Sequence, residues 1–374
     1  VSTLSTTAVV FGGLSPEHDI SILTGLQAAR LLAAAGNDVT CIYWTRTGEW
    51  QRVPSDLEGK HFTAPEVPGA TPLALRVPDG FAERKRMRDQ VLDIEVAVNC
   101  CHGGPGEDGT LSGLLALSGI RVTGPGVEGA AWAMDKLATA GMAEIAGLDR
   151  FGVESIPTVA IDGETTSIDL PAPWVVKPRY GGSSVGVEAG IEDVETAVAL
   201  TRAGVNRAGA VAQTQLTGWS DLNVAVRTYP TLEASAIEKP VTGAGGVYGY
   251  REKYLAGGDG MESAKRDLPA DLPDGLTERI QGAATALVQA IGLVGLPRVD
   301  FLYDGDDRLA LCEINAIPGS LGLYLWAAAG HDRGRIVADL VAEARTRPLA
   351  RPHWSATTDG AALRAAATVA SKLR

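Results

Sequence analysis

The sequence predicts an α/β protein whose N-terminal part is an open, parallel sheet flanked by helices. Short apolar runs at Thr6–Phe11, Asp38–Trp44 and Ile94–Cys100 alternate with amphipathic helical stretches, the order expected of parallel strands joined by helical crossovers. Two of these runs end in glycine-rich loops, Gly12-Gly13 and His102–Thr110, which puts permissive backbone at the strand carboxyl ends where such sheets bind ligands.

Taken in order, the first strand is broken by Gly12-Gly13, and a helix follows with Ser15 as N-cap and Pro16 at the first helical position. Its apolar face runs through Ile22, Leu26, Ala29 and Leu32 and ends at Gly36. Residues 46–90 are rich in Pro, Gly and charge and read as an insertion with weak structure. The strand Ile94–Cys100 and its loop lead into a helix over Thr110–Ser118. The chain changes character at Gly124-Pro125-Gly126, and a helix containing Met134-Asp135-Lys136 comes next. Trp174–Lys177 and Val185–Val187 read as strands about a Gly/Ser turn. Strands at Asn223–Arg227, Arg298–Tyr303 and Leu309–Ile314, a long helix over Leu276–Ile291 and an Ala-rich helix within Pro348–Arg374 complete the reading.

The 374 residues suffice for two or three domains, with 45% hydrophobic and 21% charged residues. A net charge of −12 argues against general affinity for nucleic-acid backbones or anionic membranes, although local basic residues can still hold a nucleotide. Val1–Thr7 has neither a basic nor a long apolar region, and no run reaches bilayer-spanning length, so a cytoplasmic protein is expected. The four cysteines, Cys41, Cys100, Cys101 and Cys312, show no metal-ligand spacing and read as reduced thiols.

Several segments carry chemistry. In Gly12–Ser21 the helix start offers backbone N–H groups to an anion, while Asp19 in the first turn suits an ammonium group; Glu17 and Asp19 alternatively only complement the helix dipole. His102, directly after a strand, is placed as a polar contact or proton partner. Lys177 precedes a loop, Gly181-Gly182-Ser183-Ser184, suited to folding over phosphates, though it lacks the order of a Walker-type loop. Asp300 lies on one strand of a hairpin, and Glu313 and Asn315 lie on the other at a spacing of two. They place three oxygen ligands on one face for a magnesium ion whose shell phosphates and water complete. Gly319, after Pro318, exposes an N–H that with Arg298 suits a developing oxyanion.

These segments in this order, GGLSPEHDIS, HGGPGEDGTLSG, GPGVEGAAWAMDK, VVKPRYGGSSVGV, YREKYL, RVDF and EINAIPGS, resemble the D-alanine–D-alanine ligase family of ATP-grasp enzymes. They span residues 12–320. The resemblance implies an ATP-grasp fold that is α/β, and α+β in its ATP-binding part, with three domains. These are a Rossmann-like N-terminal parallel sheet (1–124), a central subdomain with the phosphate lid (125–216) and a C-terminal subdomain with the metal site and tail (217–374). It further implies a cytoplasmic homodimer in peptidoglycan precursor synthesis that uses ATP and two Mg2+ ions, Mn2+ being an alternative ion.

Carried across by motif, Lys136, Lys177 and Lys253 resemble phosphate-contacting lysines, with Gly182, Ser183 and Ser184 closing above them. Gln213–Leu216 resembles the strand that passes the adenine, and Asp221 the acid that holds the ribose. Asp300, Glu313 and Asn315 match metal ligands. Asp19 matches the acid that receives the first ammonium, and His102 the histidine near that substrate's carboxylate. Arg298 with Gly319 resembles the oxyanion hole. Ser183 and Tyr254 match a pair that, with Asp19, organises the site for the incoming amine. The activity so implied is carboxylate attack on the γ-phosphate, then amine attack on the acyl phosphate.

Two positions depart from the family pattern. Gln213-Thr214 stands where a glutamate–lysine pair is usual. Tyr324-Leu325 stands where a small hydroxyl residue and a leucine bind the second substrate's carboxylate, so the second subsite is expected to be reshaped. That keeps open a paralogous ligase for a different amino acid or amine. An amide rather than an ester product is expected from Lys253-Tyr254. A regulatory protein without turnover is disfavoured by the intact phosphate, metal and oxyanion residues, and a nicotinamide-dependent oxidoreductase by the absence of GxGxxG.

Overall fold

The structure, a computed structural model, describes residues 6–85, 88–241 and 266–349, together with Gly360 and Arg364. Its mixed α/β architecture is built on three sheets. The first holds β1 (Thr6–Gly12), β2 (Val39–Trp44), β3 (Trp50–Val53), β4 (Thr71–Arg76), β5 (Gly80–Glu83), β6 (Gln90–Val91), β7 (Ile94–Asn99) and β8 (Arg121–Val122), in the order 6-5-4-3-2-1-7-8. β2, β1, β7 and β8 run parallel as expected.

Residues 46–90 depart from expectation. They are no weakly structured insertion, because β3 to β6 extend the sheet antiparallel from β2. Aromatic packing fixes the join: Trp44 stacks on Trp50 at 4.8 Å between ring centroids, and Trp50 meets the Phe81 ring edge-on at 5.2 Å.

Helix α1 (His18–Ala34) packs along β1, and Gly25 makes the closest approach. A Cβ there would stand 2.4 Å from the Phe11 side chain. The helix begins two residues later than Pro16, with Glu17 in the cap position and no side-chain cap bond. Ser15 instead accepts the Glu17 N–H at 3.0 Å. Helices α2 (Thr110–Leu117), α3 (Val127–Met134) and α4 (Lys136–Ile145) follow. The expected single helix through Met134-Asp135-Lys136 is two. Asp135 has extended backbone and caps α4, accepting the N–H groups of Leu137 and Ala138.

β9 (Val153–Ser155) joins the third sheet, where it pairs parallel with a later strand. The second sheet holds β10 (Thr158–Ile161), β11 (Trp174–Pro178), β12 (Glu188–Ile191) and β13 (Ala210–Thr214), in the order 10-13-11-12, with α5 (Val194–Thr201) beside it. β12 starts one residue beyond the expected Val185–Val187, which forms turn instead.

The third sheet holds β14 (Ser220–Arg227), β15 (Glu233–Pro240), β16 (Arg266–Asp267), β17 (Arg298–Tyr303) and β18 (Leu309–Asn315), in the order 16-15-14-17-18-9. Helix α6 (Leu276–Ala290) covers one face, and its Ile280, Ala284, Leu287 and Val288 join Leu222, Val224 and Phe301 in a core. Helix α7 (Leu323–Ala328) packs on β15 and β14 of the third sheet, and α8 (Arg333–Thr346) returns to the first sheet beside α1, β7 and β8. Trp326, Ile336 and Leu340 share a core with Phe11, Leu26 and Leu32. The other face of the third sheet carries the polar row of the site, with α7 against its β15 end. The expected C-terminal helix falls outside the described residues except at Gly360 and Arg364.

Candidate active site

Strand register assembles the polar face. Glu238 on β15 pairs with Asn223 on β14, Asn223 with Asp300 on β17, and Asp300 with Glu313 on β18. Directly opposed residues share a face, so these four form one row across the sheet. Arg298 and Asn315 pair with each other in the next row, two residues along from Asp300 and Glu313. Arg298 grips Asp300 bidentately, Nε and Nη2 donating at 2.6 and 2.7 Å, and Asn315 Nδ2 donates to Asp300 Oδ2 at 2.9 Å. The three expected metal ligands therefore meet on one face. Among the described residues no three His, Cys, Asp or Glu side chains converge on one point, the third oxygen donor here being an amide.

A cavity of about 580 Å³ opens between the second and third sheets, lined by Lys136, Lys177, Gln213, Asp221, Asp300 and Glu313 among others. Both lysines are buried. Burial pushes the Lys136 ammonium below its ordinary pKa, and Glu313, 3.9 Å away, works against that shift. Asp135 fixes Lys136 in place: besides capping α4 it takes a two-pronged contact from Arg179 at 2.7 and 2.6 Å. The turn that carries Lys136 is thereby clamped to the end of β11, which carries Lys177. Gln213 Nε2 donates to Thr158 at 2.6 Å, and Leu216 lines the same cavity. Cys312, between the two lysines and Glu313, has its thiol pushed up to about 12 by burial. All four cysteines are free thiols.

The glycine–serine loop lies over the cavity. Ser183 and Ser184 hold positive φ (51° and 57°), a conformation rare outside glycine. Ser183 donates its hydroxyl to Glu17, and Lys136 donates to the Gly181 carbonyl. A Cβ at Gly182 would come 2.9 Å from Glu17 Oε1, so any side chain there would push on the carboxylate that accepts from Ser183.

Asp19 is not part of this arrangement. It points away, exposed, and pairs with Arg46 at 2.6 Å, while Glu17 is buried against the lid. The physical reason is where α1 begins: Glu17 precedes the first turn and folds inward, whereas Asp19 lies on the outer side of that turn.

His102 is buried between Ile317 O, 2.7 Å from Nδ1, and Thr24 Oγ1, 2.8 Å from Nε2. Burial lowers its pKa to about 4, so it is neutral. Next to it Glu107 accepts the N–H groups of Gly103 and Ile317, each at 2.9 Å. Burial, with Glu17 nearby, raises Glu107 to about 7. The Ser320 N–H donates to Thr24 at 3.0 Å. These bonds stitch the His102 loop and α1 to the Ile317–Gly322 turn that contains Gly319. Tyr324 is buried and donates to Glu238 at 2.5 Å, and Leu325 is fully buried. Lys253 and Tyr254 lie outside the described residues.

Profiles described as "D-ala D-ala ligase N-terminus" and "D-ala D-ala ligase C-terminus" match residues 6–125 and 153–343. The chain belongs to the D-alanine–D-alanine ligase family. Members of this family are ATP-dependent ligases, and so is this chain. It is 35% identical to the D-alanine–D-alanine ligase of Synechococcus sp. strain CC9605, over 90% of this chain and 97% of the relative. With the Mycobacterium bovis enzyme of the same name the identity is 32%, over 91% and 95%. The fold is shared with VanG D-Ala:D-Ser ligase from Enterococcus faecalis (TM-score 0.73, 23% identity, 91% and 100% of the chains). It is also shared with the Helicobacter pylori D-alanine–D-alanine ligase (0.71, 22%, 92% and 99%).

Glu17, Glu107, Glu238, Arg179 and Arg266 are site or near-site residues that the sequence reading did not select. For Glu17 a signal existed, as it follows Ser15-Pro16 just before the helix. The others take their place from partners far along the chain, although Glu107 also accepts from the nearby Gly103.

Proposed function

We propose that the chain joins D-alanine to a second D-alanine through an acyl phosphate, releasing ADP and phosphate. The observation that carries this reading is that Lys136 and Lys177 share one cavity with Asp300 and Glu313, beneath a serine loop latched to Glu17. In this reading Lys136, Lys177 and the N–H groups of Gly182–Ser184 hold the ATP phosphates, while Gln213, Leu216 and Asp221 border the nucleoside. Glu17 receives the ammonium of the first amino acid, the role expected of Asp19. His102, neutral and buried, borders its carboxylate. That carboxylate attacks the γ-phosphate. The second amine then attacks the acyl carbon, and Arg298 with the Gly319 N–H stabilises the tetrahedral oxyanion. Arg298 is suited to this because its fork to Asp300 fixes the guanidinium plane before the reaction.

Asp300, Glu313 and Asn315 fit a hard divalent cation by donor type and shared face. Support comes from the two buried lysines beside Glu313, whose charge suits anionic phosphates. Magnesium held there would offset charge on the transferring phosphoryl group. Among the described residues no helix is long and apolar enough to cross a membrane. A cytoplasmic homodimer supplying peptidoglycan precursors completes the proposal.

A second reading keeps the donor chemistry and changes the acceptor. The Tyr324–Glu238 bond favours it, because the side chain at the expected carboxylate-binding position is directed to an internal acid.

The chemistry is tested by adding hydroxylamine to protein, ATP, magnesium and D-alanine. D-Alanyl hydroxamate with stoichiometric phosphate is expected. Phosphate release independent of D-alanine, with no hydroxamate, would defeat the acyl-phosphate route.

A further inference from the structure

The polar row that lines the cavity at Asn223, Asp300 and Glu313 continues beyond it to Glu238, where Tyr324, the residue at the position expected to bind the acceptor, packs with Arg266. Tyr324, in the first turn of α7, donates its phenol to Glu238 Oε2 at 2.5 Å. Glu238 is 3% exposed and ends the cross-sheet row Glu238–Asn223–Asp300–Glu313. It thus lies on the face of the candidate metal ligands, two strands from Asp300. Arg266 on β16 brings Nη1 to 3.5 Å from Glu238 Oε1, and its guanidinium carbon is 4.6 Å from the centre of the Tyr324 ring.

The charges match in pairs: Arg266 faces Glu238, and Arg298 grips Asp300. Among these four groups no net positive charge is left to attract a carboxylate. A small hydroxyl at position 324 would offer its proton to an acceptor's carboxylate. The Tyr324 phenol directs its proton to Glu238 instead. A carboxylate entering beside it meets the phenol's lone pairs and a carboxylate behind them, where little water intervenes to screen the repulsion. An uncharged carboxamide of the same size meets no such repulsion, and its N–H groups are complementary to both oxygens.

We propose that Glu238, oriented by Tyr324 and Arg266, is a specificity-determining residue of the acceptor subsite, selecting acceptors whose distal group is an uncharged hydrogen-bond donor, such as a carboxamide, over a free carboxylate. The proposal rests on the ligase reading with residue 324 at that subsite. D-Alanine remains the donor and the poorer acceptor.

The test supplies the protein with ATP, magnesium and equal concentrations of D-alanine and D-alaninamide, and measures both products by mass spectrometry. D-Alanyl-D-alaninamide is expected to exceed D-alanyl-D-alanine by about tenfold. Glu238→Gln, which removes the charge and keeps the shape, is expected to bring the ratio towards one. Arg266→Gln, which leaves Glu238 uncompensated, is expected to raise it. A ratio at or below one in the parent protein overturns the proposal, as does a ratio that neither substitution moves. Absence of any D-alanine-dependent phosphate release would defeat the ligase reading itself, a separate outcome of the same assay.

Discussion

The Ser183 hydroxyl donates to the Glu17 carboxylate across 166 residues of chain. That bond joins the serine loop over the cavity to the start of α1, and so connects the proposed phosphate site to the proposed first amino-acid site. Glu17 is placed to sense both, and Asp19, two residues on, faces solvent.

Glu17→Gln is therefore expected to lower kcat/KM for D-alanine by about 100-fold or more, the size typical of a lost charged group at the reacting centre. Asp19→Asn is expected to stay within about threefold, because it breaks only an exposed ion pair. Steady-state kinetics on the two variants decide the matter, and equal losses in both would contradict the geometry.

Arg179 does not itself line the cavity, yet its fork to Asp135, with its carbonyl accepting the Lys136 N–H at 3.2 Å, holds the turn carrying Lys136 against the strand carrying Lys177. Arg179→Ala is expected to raise the KM for ATP by about tenfold, with a smaller change in the KM for D-alanine, as befits a misplaced phosphate clamp. An equal rise in both constants would mean that the fork supports the fold generally.

The buried pair His102 and Glu107 gives opposing pH dependences. His102 falls from 6.5 to about 4 on folding, so its contribution to stability is complete above 6.5 and declines as pH falls towards 4. Glu107 rises from 4.5 to about 7, so its contribution is complete below 4.5 and declines as pH rises towards 7. Each slope approaches about 1.4 kcal/mol per pH unit, with opposite signs. Between pH 4.5 and 6.5 the two largely cancel. Relative to the parent, His102→Gln is expected to lose stability as pH rises through this window, and Glu107→Gln to gain it. Urea midpoints at several pH values measure this; parallel curves for parent and both variants would refute it.

Packing offers an independent check on the N-terminal core. Gly25→Ala places a methyl 2.4 Å from Phe11, which is fully buried, so a loss of about 1–3 kcal/mol is expected from overpacking. The same variant paired with Phe11→Leu should recover part of that loss, and thermal unfolding of the two reads it directly.

Much of the architecture was legible in the sequence because it follows from local pattern. The apolar runs that became β1, β2 and β7 alternate with an amphipathic helix, and the Arg298–Asn315 hairpin shows its turn and its period-two carboxylate and amide. Residues 46–90 were not legible. Pro72 and flanking glycines obscure strands whose stability comes from Trp44, Trp50 and Phe81 meeting across the sheet. Asp135 carried a cap signal that the surrounding helix-forming residues concealed. The choice between Glu17 and Asp19 depended on the residue at which α1 begins, and boundaries are the least determined part of a periodic pattern. The Tyr324–Glu238 bond joins positions 86 residues apart, and no spacing in the chain announces it.

The measurement that bears most directly on the central claim is the mass of the product formed from D-alanine, ATP and magnesium alone, with phosphate followed in parallel. The account predicts D-alanyl-D-alanine formed in equal amount with phosphate, and its loss when magnesium is chelated. No dipeptide and no D-alanine-dependent phosphate from the folded protein would contradict it.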